Sequence, residues 1–289
     1  MKDRRSKFSV TSIRAFCALA IIALVALPLI PIQYLSVLLD MPSKRWIPVL
    51  FHRIVCWALG VRVKVKGSCT TEGAVLITSN HVSWLDISVL SSVQPVSFIA
   101  KSEVAGWPIF GMFAKLQRSI FVNRSKRSET GDVAREIAKR LKEGDAMVLF
   151  AEGTSSNGNE VLPFRTALIG AAKAAMIAGP SNGEEADEVE KEEDKIVWIQ
   201  PLSIAYIRIQ GLPMGRQHRH IAAWYGDMDL APHLWALAKE GAIDVTVTFG
   251  EPIPFGADAN RKDAARKAEE AVRASLLHDL HHQSAPQRR

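Results

Sequence analysis

The chain has 289 residues, 48% of them hydrophobic, and a formal net charge of +6. That length suits one sizeable α/β domain plus an accessory element, and the hydrophobic share exceeds what a plain soluble domain needs. The basic balance raises nucleic acid as a partner, but no recognition motif or interleaved aromatic platform supports it, so nucleic-acid binding is set aside. Cys17, Cys56 and Cys69 are odd in number and lack metal-like spacing, which argues against a disulfide framework and fits a reducing cytosol.

The apolar excess lies at the N-terminus, where Ala15 to Leu39 carry no formal charge. Three readings compete for residues 1–60: a signal peptide, a single span, and a monotopic helical hairpin bent at Pro28 and Pro31. Basic residues flank both ends, Lys2, Arg4, Arg5, Lys7 and Arg14 before and Lys44, Arg45 and Arg53 after. The positive-inside rule then favours the hairpin, because it keeps both flanks on the cytoplasmic side. Trp46 to Leu59 has aromatic, cationic and apolar positions suited to the same interface.

Beyond the anchor, strands and helices alternate over residues 61–280. Arg62 to Gly67 reads as an edge strand and Ala74 to Ser79 as a buried one. The buried strand runs into Asn80-His81-Val82-Ser83-Trp84-Leu85-Asp86, and a helix from Trp84 to Ser92 follows. A carboxylate one turn into that helix can curl back to one nitrogen of His81. The other nitrogen is left basic and aimed outward, an arrangement that removes a proton from a hydroxyl. Ser83 lies too close to His81 for a serine hydrolase, no Gly-x-Ser-x-Gly elbow occurs, and its hydroxyl is expected to cap the helix.

Val96 to Ala100 is a strand, Pro108 to Leu116 a helix, and Ile120 to Asn123 a strand leading to Arg124. Ser128 to Lys142 is an amphipathic helix with Val133, Ile137 and Leu141 on one face. The strand Ala146 to Phe150 ends in Glu152-Gly153-Thr154, and an alanine-rich helix spans Thr166 to Ala178. Residues 180–195 hold eight acids and two lysines, which reads as a solvated insertion and leaves 34 basic against 22 acidic residues elsewhere. That basic remainder suits an anionic membrane surface or an acidic partner. Strands follow at Ile196 to Tyr206, His220 to Tyr225 and Asp244 to Phe249, with helices at Ala231 to Lys239 and Ala259 to Leu280. Residues 281–289 read as a flexible tail. The fold class is α/β: a single domain with a mixed, largely buried sheet flanked by helices, preceded by a membrane-associated helical element.

Four blocks now stand in order: Asn80-His81 with Asp86, Phe121 to Arg124, Glu152-Gly153-Thr154, and the proline-bearing Ile199 to Ile204. Together they resemble the 1-acylglycerol-3-phosphate O-acyltransferase family of glycerolipid and lysophospholipid acyltransferases. The run Ala100-Lys101-Ser102-Glu103 and Trp107 to Gly111 is also similar to the family. The resemblance implies that His81, oriented by Asp86, deprotonates an acceptor hydroxyl. It implies that Arg124 clamps an anion, that Glu152, Gly153 and Thr154 form a second wall, and that Lys101 is a further candidate for the cleft. The family pattern continues Glu-Gly-Thr-Arg-Ser, whereas here Ser155 follows Thr154. Arg165 can supply that charge from the next loop, or the acceptor headgroup is not a plain phosphate.

The expected activity is transfer of a fatty acyl group from acyl-CoA or acyl-ACP, as co-substrate, to the free hydroxyl of a lysolipid, without metal or organic cofactor. The first-ranked acceptor is 1-acyl-sn-glycerol-3-phosphate; a lyso-ornithine lipid is the runner-up, and a lipid-binding scaffold is the non-enzyme alternative. The expected place is the inner membrane, catalytic domain toward the cytosol, where activated acyl donors are found.

Overall fold

Every residue of the strand Ala74–Ser79 (β2) is buried, because strands pair with it on both edges and helices cover both its faces. The structure, a computed structural model, describes residues 9–123, 130–166, 169–170, 196–256 and 258–282. The expected insertion at 180–195, most of the expected helix at Thr166 to Ala178, and Arg124 lie outside the described residues.

The other strands are β1 (Val61–Lys66), β3 (Ser97–Lys101), β4 (Ile120–Val122), β5 (Met147–Phe150), β6 (Val197–Ile209), β7 (Leu212–Pro213), β8 (Ile243–Phe249) and β9 (Ile253–Phe255). They form one sheet in the order β1-β8-β6-β2-β5-β3-β4, with β7 and β9 also paired to β6. Strands β6, β2, β5, β3 and β4 run parallel, so their carboxyl ends share one edge. Strand β8 runs antiparallel to β6, which makes the sheet mixed, and β1 sits at the edge as its alternating sequence predicts.

Leu76 points to one face of the sheet and Val75 and Ile77 to the other, and the core divides accordingly. On the Leu76 side, Ile137 and Leu141 of α5 (Thr130–Lys142) and Ala268, Val272 and Leu276 of α7 (Arg261–His281) close the layer. On the opposite side lie α1 (Val10–Leu38), α2 (Ser43–Leu59), α3 (Leu85–Val93) and α6 (Leu230–Glu240). A short helix α4 (Phe110–Leu116) packs beside α1.

The N-terminal element departs from expectation at its bend. Helix α1 continues through both Pro28 and Pro31, and the chain reverses instead at Leu39 to Pro42, with Asp40 at φ 51°. The helix is tied to the domain on both sides of the prolines. Near its start the Arg14 guanidinium donates to the Ala238 carbonyl of α6 and, at 2.8 Å, to the Leu59 carbonyl of α2. Those carbonyls lie at helix C-termini, where a cation is favoured. Near its end Gln33 Nε2 donates to the Leu116 carbonyl at 2.7 Å and the Lys44 carbonyl at 3.0 Å. The buried face of α1 is small and polar (Ala15, Ala18, Ala26, Gln33, Ser36), while Phe16, Leu24, Leu27, Ile32 and Leu38 are exposed.

A second correction concerns His220 to Tyr225, which is not a strand. Residues Arg219–Ile221 form a 3-10 turn, and the amides of Ala222 and Ala223 bond back to the Arg219 carbonyl at 3.0 Å. Trp224 instead gives its backbone N–H to the Val82 carbonyl at 2.9 Å, fastening this loop beside the motif that follows β2.

Candidate active site

As far as the described residues reach, the sequence blocks gather at the carboxyl edge of the parallel strands, where loops expose side chains while the sheet holds their bases still. His81 follows β2, Glu152 follows β5, Lys101 ends β3, and β4 stops two residues before Arg124. The fourth block is β6 itself. There the side chain of Asn80 accepts from Ile204 N at 2.8 Å and donates to Ile204 O at 3.0 Å. Its amide thus prolongs the β2–β6 ladder by one rung and sets the exit angle of the chain into His81.

His81 Nδ1 lies 2.9 Å from Asp86 Oδ2. Asp86 is wholly buried, yet its carboxylate is well supplied with donors. Oδ2 also accepts from the backbone N–H of Val82 at 2.6 Å and of Ser83 at 3.0 Å, and Oδ1 accepts from Tyr206 Oη at 2.8 Å. Ser83 does not cap the helix as the sequence suggested: α3 begins without a side-chain cap, and among the described residues the buried Ser83 hydroxyl has no partner. With Nδ1 bound to a carboxylate, Nδ1 carries the proton and Nε2 holds a free lone pair. The His81 side chain is 19% exposed, so the ring meets solvent. It stacks on Phe150, ring centroids 4.0 Å apart, and Phe150 stacks in turn on Phe98. That apolar backing confines the ring to one plane.

Glu152 and Gly153 build the turn behind this ring. Glycine is required at position 153, where φ is 73°. Glu152 is buried beneath the turn; Oε1 accepts from Leu162 N at 3.1 Å, and its carboxyl also faces the backbone N–H of His81. Burial pushes the Glu152 carboxyl up to about 8, assisted by the nearby negative charge of Asp86 and opposed by those two amides. Its place is that of a brace under the histidine, not of a wall facing the cleft. Thr154 is exposed, and Ser156 N donates to the His81 carbonyl at 2.8 Å. Arg165 is exposed and its Nε donates to the Glu152 carbonyl at 3.2 Å, so a cation does stand beside the third block. Lys101 is exposed and pairs in register with Val122.

Tyr206 was missed in the sequence because it lies in an apolar strand and reads as core. The available signal was the phenol itself, since a buried tyrosine hydroxyl needs a partner. Burial pushes the Cys56 thiol up to about 11 and also raises Cys69, which leaves both unsuited to nucleophilic attack at neutral pH.

A buried carboxylate and a part-exposed imidazole with one free nitrogen at a sheet edge can deprotonate an alcohol as it attacks an activated carbonyl. The sequence profile named Acyltransferase matches residues 60–204, a span holding all four blocks. The chain belongs to the acyltransferase family. This acyltransferase is 49% identical to the lyso-ornithine lipid O-acyltransferase of Brucella abortus (strain 2308), covering 92% of this chain and 95% of that one. It is 45% identical to the lyso-ornithine lipid O-acyltransferase of Rhizobium meliloti (strain 1021), covering 86% of this chain and 80% of that one. Identity to the 1-acyl-sn-glycerol-3-phosphate acyltransferase of Neisseria gonorrhoeae is 28%, over 71% of this chain and 70% of that one. The fold matches the crystal structure of the 1-acyl-sn-glycerophosphate acyltransferase PlsC from Thermotoga maritima, with a TM-score of 0.60 and 19% identity over 93% of this chain and 97% of that one.

Proposed function

We propose that this acyltransferase moves a fatty acyl group from a thioester to the free hydroxyl of a lyso-ornithine lipid at the cytosolic face of the inner membrane. The similarity of nearly the whole chain to two proteins named for that reaction carries the choice of acceptor. It favours the runner-up of the sequence reading over the phosphate acceptor ranked first. Ser155, standing where the resemblance expects an arginine, agrees with a headgroup that carries a carboxylate and an amine instead of a phosphate.

In the proposed mechanism His81 Nε2 takes the hydroxyl proton as the oxygen attacks the thioester carbonyl, and Asp86 holds the imidazolium that forms. The C–S bond then breaks and the departing thiolate recovers the proton. Base assistance of this kind is worth roughly 10²–10⁴ in rate. The acceptor is itself the nucleophile, so no acyl-enzyme is required. Thr154, Arg165, Lys101 and Arg124 are assigned to substrate binding, and acyl-CoA or acyl-ACP is the donor.

The hairpin of residues 1–60 is assigned as a monotopic anchor to the catalytic domain of residues 61–280. Helix α1 is long and apolar enough to cross a membrane, about 43 Å at 1.5 Å per residue. Its packing against α2, α4 and α6, with ties at Arg14 and Gln33, favours a helix lying with the domain over one crossing away from it. The exposed Phe16, Leu24 and Leu27, with Trp46, Leu50 and Trp57 of α2, supply the apolar surface.

Purified protein given an acyl thioester and either lyso-ornithine lipid or 1-acylglycerol 3-phosphate separates the acceptors. The proposal expects kcat/KM for the ornithine lipid to exceed that for the phosphate by at least tenfold. Preference for the phosphate overturns it.

A further inference from the structure

We propose that Tyr206 is a positioning residue for acyl transfer, its phenol fixing the carboxylate of Asp86 and, through it, the His81 imidazole. The inference rests on the reading of His81 as the base and extends that machinery to β6.

The geometry of the carboxylate makes the case. Three of its four donors, His81 Nδ1, Val82 N and Ser83 N, converge on Oδ2, and the phenol at 2.8 Å is the partner of Oδ1. A carboxyl held at one oxygen alone can swing about its Cβ–Cγ bond; a donor on the second oxygen sets its plane. The imidazole bonded to Oδ2 inherits that plane, and Phe150 confirms it from behind. Tyr206 is 2% exposed within the apolar layer below α2 and α3, where phenylalanine would pack the same volume. The hydroxyl is thus the part that packing does not explain. Its removal would leave one oxygen of a fully buried carboxylate without a partner. The β6 backbone is adapted at this point: the pairing with β8 slips between Tyr206 and Arg208, an irregularity of the kind that re-aims a side chain beside a site.

The phenol remains a donor across the working range, because burial first, and then the charge of Asp86, hold its proton well above the ordinary tyrosine range. The titratable groups facing the pair are His81 on the loop after β2, Cys56 on α2 and Glu152 after β5. Cys56 is a neutral thiol below pH of about 11, so the negative charge felt by the phenol is that of Asp86.

The test compares the full-length lipid-reconstituted enzyme with Tyr206→Phe, using whichever acceptor the wild type acylates. The expected result is a loss in kcat of about tenfold, the scale of one hydrogen bond to a charged acceptor, with KM for both substrates within about twofold. The acidic limb of kcat/KM is expected to move to higher pH by about half to one unit, because a carboxylate relieved of one donor holds its partner's proton more tightly. A purely structural role would lower activity at all pH values and leave that limb in place. Should Tyr206→Phe not fold, 3-fluorotyrosine decides. The chain has 3 tyrosines, so in a Tyr34→Phe, Tyr225→Phe background the label reports on Tyr206 alone. A more acidic phenol is a stronger donor, and the limb must then move to lower pH. An unmoved limb in the folded protein overturns the role of Tyr206 while an inactive His81→Ala keeps the base assignment. Normal turnover by a folded His81→Ala removes the base and this inference with it.

Discussion

At Glu152 a carboxyl sits where water does not reach, and its titration gives the fold a pH dependence. Its folded value, about 8, lies above the ordinary 4.5, so between these pH values the folded chain keeps a proton that the unfolded chain has released. The stability contributed by that bound proton is complete below about 4.5 and is lost as pH rises through about 8. We predict that the melting temperature falls between pH of about 5 and about 8, and that Glu152→Gln removes most of the fall. An equal slope in the glutamine variant would contradict this account of Glu152. The neutral form also matters at the site. A second ionised carboxyl beneath His81 would compete with Asp86 for the imidazolium, and protonation leaves Asp86 as its partner. The His81–Asp86 pair was legible in the sequence because strand, motif and helix are contiguous there. Glu152 as a buried brace was not, since its partners at Leu162 and His81 come from two other segments.

Among the elements, β2 and β6 carry the site, and Asn80 is their joint. Asn80→Ala would leave the N–H and C=O of Ile204 unpaired in the interior, a loss of roughly 2–4 kcal/mol. Chemical denaturation checks this, and a change below about 0.5 kcal/mol would show that the ladder does not need the side chain. Most strands were readable as short apolar runs between turn signals. Their order was not, because pairing β2 with β6 and β5 depends on contacts distant in sequence. The segment His220 to Tyr225 misled because its alternation was satisfied by a turn packed on Val82. Helix α1 misled in another way: its prolines do not end the helix, and the chain reverses only after Leu38, with Arg14 and Gln33 tying the helix to the domain on either side of them. The outward face of α1 should then govern membrane attachment without governing folding. The joint change Leu24→Asp and Leu27→Asp is expected to cut binding to anionic vesicles at least tenfold while the melting temperature moves little. Retained binding would shift attachment to another surface.

For the whole molecule, a basic body beside an exposed apolar helix suits a catalyst working on lipids at an anionic surface. The sheet edge, the loop bearing His81 and helix α1 are parts of one packed structure, since α1 touches α6, and Trp84 next to the motif donates to His233 of α6 at 3.0 Å. Composition and block order reached the family, whereas headgroup choice rested on one substituted position and was settled neither by fold nor by charge. Everything returns to whether a single imidazole performs the proton transfer. The direct measurement is the acyl transfer rate of vesicle-bound wild type and folded, vesicle-bound His81→Ala, with an acyl thioester and lyso-ornithine lipid. The account predicts a loss of at least about a hundredfold with membrane binding unchanged; a variant that acylates near the wild-type rate would contradict it.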